Sequence, residues 1–122
     1  GGIDTRARCL EAVDGVHGVM IGRAAVNDTL VLAAMRDALF PETDHPVPDP
    51  VAIVRAWLPY VRAELAAGTP LSRMTRLLSG VFHGRPGARQ VRRPLSEHAH
   101  RGGVEVIEDA LAQFEAHGRE AA

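Results

Sequence analysis

The ten residues Pro41-Glu42-Thr43-Asp44-His45-Pro46-Val47-Pro48-Asp49-Pro50 hold four prolines in the middle of the chain. Each proline fixes φ and removes a backbone N–H, so neither a helix nor a central strand can run through them. This stretch is expected to be a linker over 41–50, separating residues 1–40 from residues 51–122.

The two flanks have different patterns. Before the linker, Asp4 or Thr5 can cap a short helix reaching Val13, with Ala7, Leu10 and Val13 as its apolar face. Asp14-Gly15 is a turn signal. The run Val16-His17-Gly18-Val19-Met20-Ile21 predicts a short, largely buried strand ending at Gly22, with His17 as a hydrogen-bonded structural residue. Residues from Arg23 to about Phe40 predict a helix.

Beyond the linker the pattern is helical throughout. Asp49-Pro50 pairs a cap with a proline at the first helical position, opening a helix to about Ala67. Its apolar stripe is Ile53, Val54, Trp57, Leu58, Val61 and Leu65, and Pro59 inside it predicts a kink. Thr69-Pro70 repeats the cap signal before a helix burying Leu71, Met74, Leu77, Leu78 and Val81 to about Gly84. After the tight turn Gly84-Arg85-Pro86-Gly87, a helix runs from about Ala88 to Ala99. A Gly102-Gly103 break precedes a last helix from about Val104 to His117. Four helices with short connections predict a small bundle. Aromatic residues are only 4% of the chain, so its core must be mostly Ala, Leu and Val.

Composition excludes several classes. One cysteine, Cys9, leaves no internal disulfide and no Cys-rich zinc site. No stretch approaches ~18 apolar residues, so no membrane span is expected. His98 and His100 stand two apart and cannot share a helix face, so no metal site is expected. The chain opens on Gly1-Gly2-Ile3 without an initiator Met, as though cut from something longer.

Net charge is −1, yet it is unevenly distributed. Arg73, Arg76, Arg85, Arg89, Arg92, Arg93 and Arg101 face Glu97 alone, a local +6 in an otherwise acidic chain. At about 100° per residue, Arg89, Arg92 and Arg93 fall on one face of their helix, with Val91, Leu95 and His98 opposite. Adjacent guanidiniums repel one another, and a polyanion is their natural partner. No aromatic platform accompanies them, which favours backbone contacts over base reading.

A second constellation joins Gly1 and Gly2 to Gly22-Arg23. Helix, turn and strand lie between, placing both glycine sites at carboxyl ends of consecutive parallel strands. In a (β/α)₈ barrel such loops form the phosphate site, where glycines admit backbone N–H groups and an arginine adds charge-assisted bonds.

Those residues carry a resemblance. Gly1-Gly2-Ile3, Asp14-Gly15-Val16, Val19-Met20-Ile21-Gly22-Arg23-Ala24-Ala25, Pro59-Tyr60, Gly84-Arg85-Pro86-Gly87-Ala88-Arg89-Gln90, Arg92-Arg93 and Leu95-Ser96-Glu97 recur in that order in tRNA-dihydrouridine synthases of the A type. The resemblance implies a mainly α chain: the last strand and helices of a TIM barrel, then a small helical bundle domain. It divides the chain into a remnant of the FMN-binding barrel (1–40), the Pro-rich linker (41–50) and a helical tRNA-binding domain (51–122). It implies FMN as cofactor, NADPH as reductant, tRNA as partner and D-loop uridines 20 and 20a as targets in a cytoplasmic enzyme. Gly1, Gly2, Gly22 and Arg23 match the FMN-phosphate positions, and Arg89 and Arg92 match tRNA-orienting positions, with Arg93 beside them. The family's catalytic cysteine lies upstream of anything here, so the segment alone is expected to be inactive. His83 stands where the family usually has Gln, Val91 where it has Trp, and Pro94 where it has an aromatic residue.

Two other readings compete. A free-standing helical RNA-binding module has no use for the glycine pair at the start. A barrel enzyme for a phosphorylated metabolite has no use for the arginine-rich segment.

Overall fold

The computed structural model describes residues 2–46 and 48–122. Gly1 and Val47 lie outside the described residues. Among the described residues eight helices follow in order: α1 Arg6–Val13, α2 Arg23–Asn27, α3 Val31–Leu39, α4 Pro50–Ala66, α5 Leu71–Thr75, α6 Leu78–Val81, α7 Ala88–His98 and α8 Glu105–Glu120.

The local signals decide the helix starts. Thr5 caps α1, its hydroxyl accepting from the Arg8 N–H at 3.2 Å. Asp49 caps α4 with both carboxylate oxygens, accepting from the N–H groups of Val51 and Ala52 at 3.2 and 3.1 Å. Such a cap contributes ~1 kcal/mol. At the start of α8 the Glu105 carboxylate accepts from the Gly103 N–H at 2.6 Å. The Gly103 and Glu105 backbone N–H groups hold that exposed carboxyl below its ordinary value.

The core belongs to the second half of the chain. Val54, Val61, Leu71, Phe82, Val91 and Ile107 are its most fully buried large side chains. The α7 residues Val91, Pro94 and Leu95, three and four apart, face Val106, Ile107, Ala110 and Leu111 on α8. Phe82 meets the Phe114 ring edge-on at 4.8 Å, concentrating much of the scarce aromatic surface in one contact. Gly87 is required twice over at this point. Its φ is +86°, and a Cβ there would stand 2.9 Å from His117 Cδ2 and against the Phe114 ring.

The first forty residues bury little of their own. Helix α1 packs on α3, enclosing Cys9 and Met35. Helix α2 packs on α6. There Ala25, Val26 and Thr29 meet Ile53, Trp57 and Leu77 around an apolar groove of about 310 Å³.

Several expectations are corrected. Residues 16–21 form no strand, and no strand occurs among the described residues. A strand satisfies its N–H and C=O groups only through a neighbouring strand, and these residues have none. Val16 and Met20 are accordingly 53% and 82% exposed. His17 is exposed and makes no side-chain hydrogen bond among the described residues. The helix expected over 23–40 breaks at Asp28-Thr29-Leu30, where the Thr29 N–H turns away to bond Gly80. On α1 the buried position is Cys9, while Leu10 is 42% exposed, because packing on α3 sets which face is covered.

Helix α4 runs unbroken through Pro59, which lies on the exposed side. Thr69 does not cap α5, since its hydroxyl donates to Glu64 Oε2 at 2.7 Å. The helix expected over 71–84 is two short ones, and Leu77 between them is 52% exposed. Of the three residues expected opposite the arginines, Val91 and Leu95 are buried and His98 is exposed.

Candidate functional site

Gly2, Gly22 and Arg23 come together around a cleft of about 620 Å³. Gly2 has φ +98°, and neither glycine has atoms within 3.4 Å of a Cβ position, so ligand oxygens can approach the backbone. The first turn of α2 has no side-chain cap; its Ala25 N–H bonds the Gly22 carbonyl at 3.1 Å, and the Arg23 and Ala24 N–H groups are left to a ligand. Arg23 is exposed and in no ion pair among the described residues. Asp4 and Asp28 also line the cleft and restrict where an anion can sit. Gly1 lies outside the described residues.

His83, on the turn after α6, reaches the same cleft. In the sequence it stands out only as a departure from the family's usual Gln. Its convergence with Arg23, sixty residues away, arises from the packing of α2 on α6.

Arg89, Arg92 and Arg93 lie exposed on α7, held outward because Val91, Pro94 and Leu95 anchor the opposite face. Gly84 and Gly87, with φ of +67° and +86°, turn the chain sharply just before them. Arg93 donates to Glu97 Oε1 at 3.0 Å, one turn on. Both side chains are largely exposed, so this pair is worth ~0–1 kcal/mol and yields readily to a stronger anion. Arg89 and Arg92 form no ion pair among the described residues. Among the described residues, Arg93 alone of the seven arginines between Arg73 and Arg101 is paired, so the surplus charge goes uncompensated there.

No group of three or more His, Cys, Asp or Glu side chains among the described residues could hold a metal ion. No helix among the described residues is long and apolar enough to cross a membrane.

The family model described as Dihydrouridine synthase (Dus) matches residues 1–117. The chain belongs to the dihydrouridine synthase family. It is 44% identical over 113 residues to the tRNA-dihydrouridine(20/20a) synthase of Escherichia coli (strain K12), covering 91% of this chain and 32% of that protein. The protein of the same name from Salmonella typhimurium (strain LT2) is 45% identical over 113 residues, with 91% and 34% covered. That of Yersinia pestis is 43% identical over 114 residues, with 92% and 33% covered. The chain thus spans about a third of the length of these dihydrouridine synthases. Cleft and arginine face both fall inside the stretch that matches the dihydrouridine synthase family.

Proposed function

We propose that this chain is the carboxyl-terminal part of an FMN-dependent tRNA-dihydrouridine synthase that reduces D-loop uridines 20 and 20a with NADPH. In this reading residues 1–40 end a (β/α)₈ barrel, 41–50 link it, and 51–122 form the tRNA-binding domain. The enzyme works where its tRNA is, in the cytoplasm.

One observation carries the reading. An anion cradle of Gly2, Gly22 and Arg23 shares its cleft with His83, on the segment that leads into the arginine face. A free-standing RNA-binding module would not need that cradle.

The residues present fit the cofactor's phosphate: the Arg23 and Ala24 N–H groups, two open glycines and an exposed guanidinium converge on one cleft. Gly2, Gly22 and Arg23 would hold it, and Gly1 is assigned to the same phosphate by its sequence match alone. FMN, when bound, supplies the hydride chemistry at the uracil ring. This chain's own part is to anchor the phosphate and to hold the tRNA. Arg89 and Arg92 meet its backbone with free guanidiniums, and Arg93 joins them by releasing Glu97. Backbone-directed contacts fix how the RNA lies without reading its sequence.

The test is a chimera in which this chain replaces the matching third of the Escherichia coli relative. It should bind flavin and form dihydrouridine in unmodified tRNA. A chimera that folds and holds flavin but forms none overturns the proposal.

A further inference from the structure

Beside the arginine face, between α5–α6 and α7, runs an open groove of about 450 Å³. Ser72, Thr75 and Arg76 line it from α5 and its end, Arg92 and Ser96 from α7, and His100 from the turn that follows. Three properties set this groove apart. Thr75 is the single buried polar side chain among the described residues, at 7% exposure. Arg76 and Arg92 supply two charges that no carboxylate offsets among the described residues. Every polar side chain lining it can donate a hydrogen bond, and none is an acid.

We infer that the groove seats a run of tRNA phosphodiester backbone, with Arg76 opposing Arg92 across it. The inference rests on the tRNA reading above and extends the contact from α7 to α5, which the charge periodicity of α7 does not reach. Guanidiniums suit phosphate oxygens through their fork of donors, and hydroxyls add neutral donors between them. No Phe, Tyr or Trp lines the groove, so it favours backbone contacts over an extended base-stacking platform. Its open form suits a continuous strand better than an enclosed small anion.

The test is a set of fluorescence-anisotropy titrations of unmodified tRNA against the chain over a salt series. Arg76→Ala, Ser72→Glu and Arg89→Ala are compared with the wild type, and circular dichroism checks that each remains helical. Arg76→Ala should weaken binding roughly tenfold and lower the log–log salt slope by ~0.7–0.9. Ser72→Glu should weaken it at least as much, because a carboxylate then faces the phosphates. If both bind like wild type while Arg89→Ala weakens, the groove is overturned and the tRNA reading stands. If the wild type shows no salt-dependent tRNA binding, both fail. If millimolar inorganic phosphate displaces tRNA better than chloride at equal ionic strength, the groove is a small-anion site and the inference falls.

Discussion

The backbone N–H of Thr29 donates to the carbonyl of Gly80 at 3.0 Å, tying the segment before the prolines to the helices after them. The Val26 carbonyl lies against the same glycine, where any Cβ would stand. Helix α2 and helix α6 therefore approach as closely as backbone allows.

Gly80→Ala should cost about 1–3 kcal/mol, since α2 and α6 must separate to admit the methyl group. Gly118→Ala, in α8 with open space around it, should instead stabilise by up to about 1 kcal/mol. Urea unfolding of both variants checks the pair. Equal effects would mean that helix propensity, not close approach, governs Gly80.

Cutting the chain before Asp49 should leave a soluble, helical protein, whereas residues 1–40 alone should not fold. Every member of the main apolar cluster lies between Val51 and Leu111. The described residues up to Phe40 bury only Cys9 and Met35. Circular dichroism during heating decides it; cooperative melting of the 1–40 peptide would refute the expectation.

The parts of this fold written in short stretches were legible from sequence. Thr5, Asp49-Pro50 and Gly84-Arg85-Pro86-Gly87 act within three or four residues, and each does what its chemistry prescribes. Burial is less local. Leu10 and Leu77 obey helical spacing yet face solvent, because which face is covered depends on distant elements. The strand expected over 16–21 is absent for the same reason, as its hydrogen bonds would need a neighbour the described residues do not provide. In the candidate site, the spacing shows Gly2, Gly22 and Arg23 together, whereas it shows His83 only as a departure from the family's Gln and Arg76 only as one of seven clustered arginines. Only tertiary packing brings them to the cleft and the groove.

In the chimeric enzyme, Arg23→Ala should weaken FMN binding by about 1.5–3 kcal/mol, the range for a hydrogen bond to a charged group. Flavin fluorescence on dilution measures release directly. Unchanged affinity would place Arg23 outside the phosphate site.

Replacing Arg89 and Arg92 together with Ala should lower the salt slope of tRNA binding by ~1.4–1.8, at ~0.7–0.9 per lost contact. Flavin content of the chimera should not change, since neither residue lines the cleft. Glu97→Gln should tighten binding a few-fold, because it frees Arg93 and removes the segment's sole acid. Coincident slopes would make the α7 arginines an ordinary solvated face.

The apolar groove beneath α2 has an optical consequence. Trp57 is the chain's single tryptophan, and its indole lines that groove beside Ala25 and Val26. Tyr60 stacks on it with ring centroids 5.7 Å apart, well placed to pass excitation energy to the indole. Lifting α2 away would wet the indole and shift its emission to the red, while the tyrosine, one turn along the same helix, stayed put. The protein thus carries a built-in, label-free gauge of whether its two segments are joined.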